Sequence, residues 1–346
     1  IATIPAPSVS RCLNAGDASE PMSENTKIER CDHTWSPWRG CTKVSPGCAN
    51  CYAETLSKRN PAVLGQWGKG KPRVLNKDWN DPVKWNRNPF VAEHKWSPGL
   101  PESHRKTHRR RIFPSLCDWL DEEVDPRWLF DFLTLVLRKT PNLEWQLLTK
   151  RPEMFRERLL AAAATPTIDP LDVVDLIEAW VSGDRVPLNV IVGTSIEDQP
   201  RADERIPALL KIPARRRFLS VEPLIWSIDM KLHQIESASG YRHADNCGGF
   251  CDFACGGMEI RGGIDWVIVG GESGPGARPC NVEWIRDIVH QCAAAHVPCF
   301  VKQLGSNPVM EPGPISWPCS HPKGGDPAEW PEDLRVRQFP VTNHCA

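Results

Sequence analysis

Trp38-Arg39-Gly40-Cys41-Thr42-Lys43-Val44-Ser45-Pro46-Gly47-Cys48-Ala49-Asn50-Cys51-Tyr52, directly after the apolar run Thr34 to Trp38, decides the fold. Three cysteines stand at C-x6-C-x2-C past a predicted strand. Two thiolates separated by two residues can ligate one metal or cluster, and Pro46-Gly47 supplies the turn that folds the third back towards them. Three ligands leave a position open. A structural zinc site wants four protein ligands, whereas a four-iron cluster on three cysteines keeps one iron free for a small molecule. Cys41, Cys48 and Cys51 are therefore read as ligands of a 4Fe-4S cluster; zinc, with Cys31 or His33 as fourth ligand, is the alternative.

Working outward, short apolar runs bounded by turn residues alternate with helical periodicity, the pattern of a parallel sheet with crossover helices. The runs after the first are Arg111 to Ser115, Leu143 to Thr149, Leu188 to Thr194, Arg217 to Val221, Ile264 to Gly270 and Pro298 to Lys302. Helices are expected over Pro126 to Lys139, Pro152 to Ala162, Pro200 to Leu210 and Val282 to Ala295, several with Pro in the first turn. The expected fold class is α/β: a partial (β/α) barrel of six or seven parallel strands, residues 22–306, with a Cys-rich insertion at about 232–263. Residues 1–21 lack periodicity and read as a disordered extension before Met22. From about Asn307 the chain is Pro- and Gly-rich and reads as a loosely ordered tail over the barrel.

Almost every apolar run ends in reactive or hydrogen-bonding side chains while its start is bland. In a parallel barrel all strand ends converge on one face, so these residues would line a single pocket. Lys150, Arg151 and Lys302 are cations suited to a carboxylate or phosphate and are the candidate catalytic residues. Thr194, Ser195, Glu222, Gly270, Gly271 and Glu272 are the candidate cofactor-binding residues; the two glycines let backbone approach a ligand closely. The competing reading makes some of these loop and cap residues, with Thr149, Ser195 and Ser273 each able to cap a following helix.

Of 346 residues, 25% are charged and the formal net charge is -1, so no global field favours nucleic acid. Local basic clusters, His104 to Arg111 and Arg215 to Arg217, must hold any anionic partner. No stretch reaches the roughly 18 apolar residues of a membrane span, and a cytoplasmic location is expected. In a reducing compartment the fourteen cysteines suggest metal ligands before disulfides. Isolated ones such as Cys117, Cys292 and Cys299 read as small buried hydrophobes. A second group, His243-x3-Cys247-x3-Cys251-x3-Cys255, offers four soft ligands for a structural zinc in the insertion; the rival places the catalytic cluster on its last three cysteines, within one residue of C-x3-C-x2-C, and the plainest reading leaves them as unliganded loop cysteines.

Taken together, the five stretches Asp32 to Glu54, Leu148 to Pro152, Phe218 to Leu224, Gly270 to Gly274 and Val301 to Gly305 resemble the phage gp-thirty-seven/gp-sixty-eight family, whose members look like distant relatives of radical S-adenosylmethionine enzymes. The resemblance implies that Cys41, Cys48 and Cys51 hold the cluster and that its open iron chelates the amino and carboxylate groups of S-adenosylmethionine. An electron from a reductant protein then gives a 5′-deoxyadenosyl radical. By the same analogy Glu272 or Glu222 receives the amino group and Thr194-Ser195 the ribose. The usual motif places an aromatic before its last cysteine; here Asn50 stands there and Tyr52 follows. The expected substrate is a polar small molecule, nucleotide or nucleic acid. The alternative function is a zinc-stabilised nucleic-acid-binding protein without catalysis, in which His104 to Arg111 meets phosphate.

Overall fold

A computed structural model describes residues 26–92, 107–166, 171–238, 263–310 and 315–340. The extension 1–21, most of the insertion with His243, Cys247, Cys251 and Cys255, and His104 to Lys106 lie outside these residues.

Seven parallel strands form one sheet in sequence order: β1 His33–Thr34, β2 Arg111–Phe113, β3 Glu144–Thr149, β4 Val190–Ser195, β5 Arg217–Val221, β6 Trp266–Gly270 and β7 Cys299–Gln303. Every neighbouring pair is parallel, so the connections are crossovers and the sheet curls into a half-barrel. Alternation within each strand divides the two faces. Trp145, Leu147, Val192, Leu219, Val267 and Val301 point into the main core beneath the helices, while Ile191, Phe218, Trp266, Ile268 and Phe300 form a second cluster on the concave side. Gly193 makes that arrangement possible, because a Cβ there would stand 2.3 Å from the Phe218 ring.

Among the helices are α1 Tyr52–Ser57, α2 Asn80–Arg87, α3 Pro126–Thr134, α4 Phe155–Ala163, α5 Leu171–Ser182, α6 Gln199–Leu210 and α7 Val282–Ala294. Asp125, Asp198 and Asn281 cap α3, α6 and α7 by accepting N–H groups of the first turn. The expected Pro126 to Lys139 helix is α3 followed by a π-helical turn, Leu135–Lys139, and α5 is an element the apolar periodicity had not singled out. The run Thr34 to Trp38 is not one strand. Pro37 has no N–H to continue a ladder, and the chain turns so that Trp38–Arg39 pairs with Val74–Leu75 outside the barrel.

The Pro- and Gly-rich segment after Asn307 is tied down rather than loose. Trp330 and Leu334 belong to the main core, and Val301 donates its N–H to Val336 O at 2.8 Å while Gln338 donates to Cys299 O at 2.8 Å. That backbone covers the open edge of β7. Among the described members of the two basic clusters named above, Arg111 and Arg216 pair with Glu144 at 3.3 and 2.7 Å, Arg110 bonds His33, and buried Arg217 donates to Ile212 O, all at the strand starts. These residues lie at the opposite end of the barrel from the strand tips. Among the described residues, no helix is long and apolar enough to cross a membrane.

Candidate functional site

Carboxylates from three different strand ends grip the cysteine loop. After β2, Asp121 accepts from Thr42 N at 3.2 Å and Thr42 Oγ1 at 3.0 Å. After β4, Glu197 accepts from Gly47 N at 3.0 Å and is held by Arg205 at 2.9 Å. After β6, Glu272 accepts from Asn50 Nδ2 at 2.9 Å, and Arg278, paired to Glu272 at 2.6 Å, donates to Pro46 O at 3.0 Å. Gly47 is required for this grip: a Cβ there would lie 2.8 Å from Glu197 Cδ. Each of the three cysteines thus has a neighbour fastened to a different part of the rigid sheet.

Beneath the loop, Arg151 is the hub. Its Nη1 donates to Asp118 Oδ2 at 2.8 Å and reaches Cys41 Sγ at 3.9 Å, its Nη2 donates to Thr42 O at 2.5 Å, and its Nε pairs with Glu122 at 2.6 Å. Asp118 also accepts from Thr149 Oγ1 at 2.7 Å and Lys150 N at 2.8 Å. Arg73 joins from the other side, bonding Asp121 at 3.0 Å.

Cys41, Cys48 and Cys51 all line one cavity of about 150 Å³ at the strand tips, with Tyr52, Ser115, Cys117, Lys150 and Ser195 on its wall. Burial pushes the Cys41 thiol well above its usual range, Asp118 adds to the rise, and Arg151 opposes it. Burial likewise raises Cys51, against backbone N–H groups of α1 and Lys150. Burial therefore favours the protonated thiol at Cys41 and Cys51, and a cation bound beside them would favour the thiolate. Among the described residues, no three His, Cys, Asp or Glu side chains gather closely enough to hold a single metal ion. A tetrahedral zinc, with Zn–S of about 2.3 Å, needs thiolates roughly 3.8 Å apart. A four-iron cluster puts each thiolate on a different iron, so its ligands stand around a shared cavity, as Cys41, Cys48 and Cys51 do here. Neither Cys31 nor His33 lines the cavity: Cys31 Sγ faces Ile28 O, and His33 stacks on Trp85.

The other candidates divide. Lys150 and Ser195 face the cavity, and the Ser195 hydroxyl, on a residue 1% exposed, has no hydrogen-bond partner among the described residues. Asp198 caps α6, which leaves Ser195 free of that role. Arg151 is buried and engaged by Asp118, Thr42 O and Glu122, so it positions the loop. Thr194 faces away, donating to Thr149 O at 3.0 Å. Both oxygens of Glu272 are taken by Arg278 and Asn50, and those bonds hold its carboxyl below the usual range against the effect of burial. It secures the loop and has no oxygen left for an amino group. Gly270 and Gly271 serve packing: a Cβ on Gly271 would meet Leu304 O at 2.2 Å. Lys302 pairs with Glu222 at 2.7 Å on the concave side, where burial raises the Glu222 carboxyl and Lys302 and Arg30 more than reverse it.

Sequence reasoning missed Asp121, Arg73 and Arg278 as loop anchors, and Cys117 as a cavity residue. The acid run Asp118 to Glu123 after a strand tip was the available signal. A family model described as a protein of unknown function (DUF5131) matches residues 25–318. No curated protein and no solved structure matches the chain.

Proposed function

The chain belongs to the DUF5131 family, and from its site geometry we propose an iron–sulfur enzyme of the radical S-adenosylmethionine type acting on a polar substrate. The observation that carries this reading is the convergence of Cys41, Cys48 and Cys51 on one cavity at the C-terminal mouth of a parallel half-barrel. Strand tips are where such barrels place their chemistry. The resemblance to the phage gp-thirty-seven/gp-sixty-eight family points the same way.

When bound, a 4Fe-4S cluster with one open iron would chelate the amino-acid end of S-adenosylmethionine and deliver the electron that cleaves its sulfonium. The chain's own residues have definite tasks around that group. Lys150 brings a cation to the cavity wall for a carboxylate, and Ser195 offers its unpaired buried hydroxyl as a hydrogen-bond donor or acceptor. Asp121, Glu197 and Glu272 fix the loop so that the sulfurs do not need to be ordered at the moment of binding. Glu222 and Lys302 present a charged pair on the concave wall, where a substrate's polar group can exchange with either partner. The reading includes a reductant protein as electron donor and a reducing, cytoplasmic setting that keeps the thiols free. Zinc in the insertion at His243, Cys247, Cys251 and Cys255 remains a proposal of the same kind.

Anaerobic reconstitution with iron and sulfide tests it. Brown protein with about four irons per chain, forming 5′-deoxyadenosine with dithionite and S-adenosylmethionine, is expected, and Cys41→Ala, Cys48→Ala and Cys51→Ala each abolish both. A colourless protein holding stoichiometric zinc would replace this reading with that of a structural nucleic-acid binder.

A further inference from the structure

The segment that follows the cysteine loop carries a charge bias absent from the chain as a whole. From Thr55 to Lys77 there are six basic residues, Lys58, Arg59, Lys69, Lys71, Arg73 and Lys77, and no acidic one, on a chain of net charge -1. Arg73 is consumed inside by Asp121 and Glu123. The other five are exposed, and none has an ion-pair partner among the described residues. Nearby acids are already engaged: Glu54 with Lys43 at 2.6 Å, Glu123 with Arg73 and Gly70 N, Glu122 with Arg151.

Position ties this charge to the cavity. Cys41 donates its N–H to Gln66 O and accepts from Gly68 N at 2.9 Å, and Trp67 lines the cavity, which puts Lys69 and Lys71 within four residues of its wall. Lys58 and Arg59 directly follow α1, the helix that opens with Tyr52 and runs about 9 Å along its axis. Tyr52 itself lies on the cavity rim, 52% exposed, with its hydroxyl donating to Ser115 O at 2.6 Å. A half-exposed ring fixed at its far end is a preorganised stacking surface.

Cations that track a strand beside an aromatic platform are what single-stranded nucleic acid binding needs: phosphates for the first, a base for the second. We propose that Lys58, Arg59, Lys69 and Lys71 hold the backbone of a single-stranded nucleic acid whose base stacks on Tyr52 at the cavity mouth. This names the substrate class of the site and rests on the cluster reading for the chemistry alone. An acidic protein would use the cations without the ring.

The test is binding of a labelled oligothymidylate to the full reconstituted chain across a salt series. Each phosphate contact contributes about 0.7 to the slope of log affinity against log salt. Neutralising all four cations to Gln should flatten the slope by about 2.8, so that wild type loses roughly 50-fold more affinity than the variant between 50 and 200 mM salt. Tyr52→Ala should weaken binding about 5- to 150-fold, while Tyr52→Phe, which keeps the ring and loses only its anchor to Ser115 O, should lose less than Tyr52→Ala. Lys139→Gln/Lys211→Gln, exposed at the far end of the barrel, is the charge control and should leave the slope intact. An unchanged slope in the fourfold variant, an indifferent Tyr52→Ala, or polyglutamate binding as tightly as the oligonucleotide would each overturn the proposal. The triple cysteine-to-alanine variant separates the two readings: retained oligonucleotide binding without iron spares this inference, and intact cluster without oligonucleotide binding defeats it alone.

Discussion

Arg151→Met removes the hub beneath the cysteine loop while keeping its approximate bulk, and the expected cost can be worked from its bonds. The change deletes a charge-assisted bond to Asp118 and the bond to Thr42 O, and leaves the Glu122 pair without its cation. A hydrogen bond to a charged partner contributes about 1.5–3 kcal/mol, and the half-exposed Glu122 pair at most about 1 kcal/mol. The full penalty for orphaning a buried charge, about 3–5 kcal/mol, is not reached. Asp121 keeps Arg73 and Thr42, and Asp118 keeps Thr149 Oγ1, Lys150 N and Leu120 N. The sum is about 3 kcal/mol.

Urea unfolding measures this directly. With a denaturant slope of about 3 kcal/mol/M, the midpoint should fall by about 1 M. A cycle with Asp118→Asn isolates the pair and should give a coupling of about 2 kcal/mol. Strict additivity of the two variants, or a loss below about 1 kcal/mol for Arg151→Met, would show that the hub is an incidental surface pairing and refute the reasoning.

Gly47→Ala pushes a methyl group into the Glu197 carboxylate that Arg205 holds in place, so reconstituted protein should carry much less iron and sulfide while losing only about 1–3 kcal/mol of stability in urea. Lys302→Met should cost about 2 kcal/mol at neutral pH. Because the folded Glu222 carboxyl titrates below its usual 4.5, its pairing stabilises the fold above that pH and fades as the pH falls through the lower folded value. The stability gap between variant and wild type should therefore close in acid, and a gap independent of pH would contradict the pairing. Trp330→Ala should lower stability by about 3–5 kcal/mol, because its side chain sits in the main core and donates to Gly324 O; an unchanged urea midpoint would return the C-terminal segment to a loose tail.

The strands were legible because a sheet covered on one face by helices and on the other by a second cluster needs near-continuous apolar runs, and Arg217 to Val221 or Cys299 to Gln303 announce themselves that way. The cysteine trio was legible because spacing survives folding. What the sequence could not display was which polar side chains at the strand tips stay free. Glu272 and Ser195 read alike as candidates, yet one is spent on Arg278 and Asn50 while the other has nothing to bond. Part of that difference is made by a partner 222 residues away in the chain, as the Asn50–Glu272 bond shows. The basic run from Lys58 to Lys77 escaped notice for a related reason. Its charge is visible in the sequence, but its meaning depends on Gln66 and Gly68 folding back on Cys41.

The acids at the strand tips therefore carry a role opposite to the one their chemistry first suggests. Asp121, Glu197 and Glu272 are committed to N–H groups and guanidinium groups of the loop and its supports, so the cavity wall itself is left with Lys150 and the Glu54-paired Lys43 as cations and Asp118 already neutralised by Arg151. A wall of that sign favours an anionic ligand, while three buried thiolates still need a multiply charged cation beside them. The same carboxylates that make the loop rigid thus keep their own charge from competing for what the cavity binds.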